Sequence, residues 1–133
     1  MLKPHPQLHA SLESAGPTSV ALTVRNDSDE EAFVTSYNLP STDGSLDNSV
    51  FDFGDARPRF RGRRAKRDVV QLSDCVRLAP GAAHNAIVDL ALWYELPTGQ
   101  IEVAYLAFHD FPPTLDATAV CSNYLRIKIA GAQ

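Results

Sequence analysis

Seven of the chain's twelve lysines and arginines, Arg57, Arg59, Arg61, Arg63, Arg64, Lys66 and Arg67, fall within eleven consecutive positions of a protein whose formal net charge is -4. Guanidinium groups at that density can grip anions, because each presents a planar fork of donors that matches phosphate, sulfate or carboxylate. Outside the cluster five basic residues face sixteen acidic ones, a formal charge of -11. Such a surface repels a polyphosphate almost everywhere else, so nucleic acid is disfavoured as a partner. Arg57, Arg59, Arg61 and Arg63 occupy alternate positions, so an extended chain points them to one side and Phe60 to the other. That is the pattern of a solvent-facing hairpin or edge, where charge also discourages strand-to-strand aggregation.

Other residues capable of chemistry are scattered. There is no HExxH pair, no CxxC, no phosphate-binding glycine loop and no GxSxG elbow. Of the four histidines, His5, His9, His84 and His109, only His109 stands beside an acid, Asp110. Neighbours on a strand face opposite ways, so a surface loop is expected there rather than an acid–base pair. Pro112 and Pro113 stiffen that loop, which makes His109, Asp110 and Phe111 candidate contacts for a partner; Phe111 folding back as a lid on the core is an equal reading. Trp93 and Tyr94 could form a binding platform, but a lone tryptophan between apolar strands is more often core. The acidic tract Asn26 to Glu30 lacks the ligand spacing of a calcium loop and reads as a solvated turn. Cys75 and Cys121 are too few for a structural zinc site and are open either to a disulfide in an oxidising compartment or to two separate thiols. No catalytic residue, metal ligand or cofactor is assigned, and a non-enzymatic role is expected.

The elements that would carry these groups are strands. Leu8, Ala10 and Leu12 alternate with polar residues, as do Val20, Leu22 and Val24, and Phe33 opens a third run. A short strand is expected from Val50 to Phe53. Pro80-Gly81 reads as a turn between two strands, with Val76 and Leu78 facing one way and Ile87 continuing the pattern. One helical turn is expected in ALWYELPTGQ before Pro97 and Gly99 stop it. Ile101, Val103, Tyr105 and Ala107 alternate, and so do Leu125, Ile127 and Ile129. Short strands at regular spacing predict an all-β fold, an antiparallel immunoglobulin-like β-sandwich of about seven to nine strands. The expected organisation is one domain over 1–133, with 1–7 an extended N-terminal tail. No apolar run reaches the roughly 20 residues that span a bilayer, and the opening MLKPHPQLHA lacks the apolar stretch of a secretion signal, which leaves both the cytoplasm and secretion after processing open.

Taken in order, VALTVRNDS, LPSTDGSLDNSVFDF, RFRGRRAKR, LAPGAAHNAIVDLALWYELPTGQIEVAY and SNYLRIKIAG resemble the N-terminal, propeptide-like β-sandwich of the deuterolysin and peptidyl-Lys metallopeptidase family, over residues 8–131. No zinc-site residue of that family has a counterpart here, so the resemblance does not imply peptidase activity. It implies an immunoglobulin-like fold and a role in folding, masking or inhibiting a protease. The expected function is a non-catalytic domain that binds a protein partner, a metallopeptidase by resemblance, through the basic hairpin 57–67 and the His109 loop. The alternative is an anion-binding module that uses the same hairpin on nucleic acid, acidic lipid or sulfated glycan.

Overall fold

Residues two apart share a strand face, and the alternating apolar runs pair mainly as antiparallel ladders. A computed structural model describes residues 3–62, 73, 75–109 and 118–130. The first sheet is built from β2 (Leu8–Ser14), β3 (Ser19–Asn26) and β7 (Ala83–Asp89), in the order β2-β3-β7. Leu8, Ala10 and Leu12 are buried, as are Val20, Leu22 and Val24 on the paired strand, with Ala10 opposite Val24 and Leu12 opposite Leu22, as their spacing predicts. A second sheet centres on the ten-residue β8 (Gly99–Phe108). β10 (Leu125–Ile129) pairs with its first half and β9 (Thr118–Cys121) with its end, while β5 (Phe51–Asp52) pairs with Tyr105 and Ala104. A smaller antiparallel pair joins β4 (Ala32–Thr35) to β6 (Cys75–Leu78). One apolar cluster draws on all three sheets, including Val20, Val34, Val88, Val103, Tyr94 and Tyr105. Among the described residues no helix is long and apolar enough to cross a membrane.

Between β9 and β10 the register on β8 slips by one. Cys121 lies opposite Leu106 and Leu125 opposite Val103, so three residues on one side face two on the other, a β-bulge. Ser122 fills the break in the ladder: its N–H donates to the Tyr105 carbonyl oxygen at 2.9 Å, and its hydroxyl accepts the Tyr105 N–H at 2.8 Å.

The fold is all-β with antiparallel sheets, as the periodicity predicts, and the described residues form ten strands if the two-residue β1 (Lys3–Pro4) and β5 are included. Several details differ from the sequence reading. The N-terminal segment, expected as an extended tail over 1–7, pairs where it is described: β1 runs parallel to β9, with Lys3 opposite Thr118, and the His5 N–H continues the pairing to the Ala119 carbonyl. In β4 Ala32, Val34 and Thr35 are buried, while Phe33 is only half-buried, with the Arg77 guanidinium 5.7 Å from its ring centroid, a cation–π contact. Val76 and Leu78 keep the expected parity, but Val76 is 40% exposed. Ile87 is 62% exposed, because pairing with β3 sets Ala86 opposite Leu22 and Val88 opposite Val20 on the core face and leaves Ile87 opposite Ala21 on the outer one. Pro80-Gly81 does make a turn, closed by the Ala82 N–H to the Ala79 carbonyl with Gly81 at φ +77°, yet it links strands of two different sheets rather than a hairpin.

Candidate functional site

The expected helical turn is α1 (Leu90–Trp93). It starts at Asp89 because that carboxylate accepts the Ala91 N–H at 3.1 Å and the Thr18 hydroxyl at 2.7 Å, both on Oδ1. It stops at Tyr94, which returns to extended backbone and buries its ring against Phe51, Phe53 and Phe60. A turn this short cannot hide both of its faces. Leu90 is fully buried, Trp93 is half-buried against the core, and Leu92 is left 67% exposed.

The start of the basic segment is tied to this turn. Phe60 and Tyr94 form an isolated antiparallel bridge, in which the Arg61 N–H donates to the Trp93 carbonyl at 2.7 Å and the Glu95 N–H to the Arg59 carbonyl at 2.9 Å. The Arg61 guanidinium also reaches the Ala91 carbonyl at 3.3 Å. Arg57, Arg59 and Arg61 are exposed while Phe60 turns inward, as the alternation predicts. Among the described residues the segment's pairing is that bridge, and Arg57 sits in the left-handed region at φ +41°, which interrupts the extended chain at its start. Arg63, Arg64, Lys66 and Arg67 lie outside the described residues.

Two hollows flank Ile87 on the outer face. One, of about 410 Å³, is lined by Ala21, Thr23, Thr42, Asn85 and Ile87 and offers no charged group. The other, of about 290 Å³, brings Ile87, Leu92 and Trp93 together with Asp43, Ser45 and Asp89. Its far wall is the 41–45 turn, in which the Gly44 N–H bonds the Ser41 carbonyl and the Ser45 N–H bonds the Asp43 carboxylate at 2.9 Å. Hydrogen bonds from the Ser45 side chain and backbone hold the exposed Asp43 carboxyl below the usual carboxylate range, so it is ionised at neutral pH. Gly44 has φ +87°, and a Cβ there would lie 2.5 Å from the Ile87 carbonyl oxygen. Only glycine lets this turn lie so close to β7.

His109 is not the surface residue that its loop-like surroundings suggest. It is 1% exposed at the end of β8, where its Nδ1 accepts the Thr35 N–H at 2.9 Å. The ring proton is therefore on Nε2, which donates to the Tyr105 hydroxyl at 2.7 Å, and that hydroxyl donates to the Asn38 carbonyl at 2.6 Å. Burial, and secondarily the charge of His5, pulls its pKa down to about 3, and burial pushes Tyr105 up. With both ring nitrogens bonded and the ring closed to solvent, this side chain ties β8 to β4 and cannot reach a partner. Asp110 and Phe111 lie outside the described residues.

Cys75 opens β6 and Cys121 closes β9, as two thiols rather than a bridge. Burial and the Asp52 charge raise the Cys121 thiol, which makes it a poor nucleophile. Among the described residues no three histidine, cysteine, aspartate or glutamate side chains converge as a metal site. Asn26, fully buried, organises the acidic turn: its Oδ1 accepts from Ser28, and its Nδ2 donates to the Glu30 and Leu78 carbonyls.

Ile87, Leu92, Asp43 and Asp89 are the surface residues that sequence reading missed. Period-two alternation in AHNAIVDL fits either parity, and the bulk of isoleucine argued for the wrong one. The only local signal is small Ala86 beside Val88, a pair that fits under the bulky core face of β3. No known family model matches the chain, and a search of curated proteins returns no match.

Proposed function

We propose that this chain is a non-catalytic domain that binds a protein partner through the surface where β7, α1 and the basic segment meet. One observation carries the reading: two large aliphatic side chains, Ile87 and Leu92, are 62% and 67% exposed on the same hollow as Trp93, and Arg61 is hydrogen-bonded to that same turn. Scattered exposed aliphatics are ordinary, but an aliphatic–aromatic centre with a charged rim is the composition of a recognition surface. Arginine and tryptophan are also the side chains that dominate interface energies. The resemblance to the propeptide-like region of deuterolysin-type metallopeptidases points to a protease as partner and to an immunoglobulin-like sandwich as the arrangement of the sheets.

The test is capture of partners by the wild-type chain and by the Ile87→Ser/Leu92→Ser double variant, with a purified deuterolysin-type peptidase assayed in parallel for inhibition. Both substitutions fall on exposed positions, so folding should be retained. Loss of the high-salt-resistant partner, and of any inhibition, in the double variant is expected. Identical capture by both chains would end this reading.

The exposed, alternating Arg57, Arg59 and Arg61 support a second reading, an anion site for acidic lipid or sulfated glycan. It requires binding that falls steeply with salt and is lost in an Arg57→Ser/Arg59→Ser/Arg61→Ser chain while the Ile87 and Leu92 variant binds normally.

A further inference from the structure

The smaller hollow beside Ile87 combines two chemistries that suit one kind of side chain. Ile87, Leu92 and Trp93 give it apolar lining, and Asp43 and Asp89 line it beside them. At about 290 Å³ it lies at the foot of the range for small-molecule sites, roughly 300–1,000 Å³, and so suits a single long side chain better than a cofactor. Both carboxylates have unused capacity. Asp89 spends only Oδ1 on capping α1, and among the described residues neither Asp43 nor Asp89 is ion-paired. Among the described residues, Arg61, the basic side chain bonded to this helical turn, is directed to the Ala91 carbonyl.

We propose that this hollow seats a lysine or arginine side chain of the partner protein, its methylene stem against Ile87, Leu92 and Trp93 and its cation between Asp43 and Asp89. The proposal rests on the protein-binding reading of the same surface and names what that surface selects. Long basic side chains carry an apolar stem under a charged head, and the hollow offers a match for both: apolar side chains and two carboxylates. An indole face adds a cation–π contribution that a neutral side chain would not gain. An acidic anchor would meet two carboxylates and be rejected, so the pair discriminates as well as attracts.

Trp93 is the chain's only tryptophan, so its fluorescence reports on the hollow directly. The experiment titrates the full chain with acetyl-Ala-Leu-Lys-Leu-Ala-amide and with the same peptide carrying Gln or Glu in place of Lys. A saturable change in Trp93 emission is expected with the Lys peptide, with the Gln peptide at least about fivefold weaker and the Glu peptide weaker still. Asp43→Asn and Asp89→Asn should each weaken the Lys peptide about two- to fivefold, the range for a partly exposed ion pair, and leave the Gln peptide unchanged. The second substitution keeps a side-chain oxygen for helix capping, and circular dichroism checks that both variants fold.

Equal binding of the Lys and Gln peptides, no saturable response, or Lys-peptide binding unchanged in both Asn variants would each overturn the proposal. So would self-association of the chain that depends on Asp43 and Asp89 and is not reversed by the Lys peptide, since a second copy would then be the occupant. If partner capture depends on Ile87 and Leu92 while the Asn variants bind normally, only this inference fails. If capture ignores Ile87 and Leu92, the protein-binding reading itself fails.

Discussion

The side-chain amide of Asn123 pairs with the backbone of Leu12 as a neighbouring strand would: its Oδ1 accepts the Leu12 N–H at 2.8 Å and its Nδ2 donates to the Leu12 carbonyl at 3.1 Å. Leu12 is on the first sheet and Asn123 lies in the break between β9 and β10 of the second, where the β-bulge frees it to leave the ladder and reach β2. One amide thereby closes a gap that would otherwise leave an edge-strand donor and acceptor partly buried and unsatisfied.

Replacing Asn123 by Ala should therefore destabilise the chain by about 1–2 kcal/mol, the cost of orphaning two part-buried backbone groups. Asn123→Asp should be worse, because a second acceptor would then face the Leu12 carbonyl. Urea denaturation measures both; an unchanged midpoint in the Ala variant would show that water replaces the amide at no cost.

His109 makes stability depend on acid. Its folded pKa of about 3 lies below the ordinary 6.5, so the unfolded chain binds the proton more readily. The stability this contributes is fully present above pH 6.5 and declines as pH falls from there toward 3, at up to about 1.4 kcal/mol per pH unit. Denaturation between pH 7 and 5, where carboxylates titrate little, should show that slope in the wild type and a shallower one in His109→Gln. Parallel curves for the two chains would mean that another group carries the dependence.

Two glycines with positive φ should respond differently to alanine. At Gly81 a Cβ meets nothing within 4 Å, so only the left-handed backbone is penalised, about 1–2 kcal/mol. At Gly44 the same penalty is joined by a clash with the Ile87 carbonyl. Gly44→Ala should therefore cost more than Gly81→Ala and also shift Trp93 emission, because the turn carrying Asp43 and Ser45 must move away from the hollow. Equal midpoints for the two variants would refute the close approach.

Tyr124, exposed on the far side of the second sheet, donates its hydroxyl to the Asp52 carboxylate at 2.5 Å. That bond, with smaller contributions from burial and neighbouring charges, pushes its pKa up to about 12. In Asp52→Asn the acceptor is neutral, and Tyr124 should ionise closer to 10, seen as a phenolate absorbance rise at lower pH. A titration identical to wild type would show that the hydrogen bond does not persist in solution.

How much of this was legible beforehand depends on how local its cause is. Leu8-Ala10-Leu12, Val20-Leu22-Val24 and Ile101-Val103-Tyr105-Ala107 announce strands because residues two apart share a face and burial needs apolar side chains there. Pro80-Gly81 and the helical turn ahead of Pro97 were equally readable, since their dihedral preferences act within a few residues. What alternation cannot state is which face a neighbouring sheet will cover. Phe33 and Ile87 were turned outward by their pairings with β6 and β3, partners 44 and 66 residues away in the chain. His109 was buried by Thr35 and Asn38, and Asn123 was drawn to Leu12, for the same reason: hydrogen-bond partners that distant leave no trace in local periodicity. The sequence by itself determined that the chain would be β, where it would turn, and that one segment would be basic; only the tertiary structure decided that Ile87, Leu92 and Trp93 would share one hollow beside Asp43 and Asp89, because that surface exists only once the 41–45 turn is packed against the distant stretch 87–93.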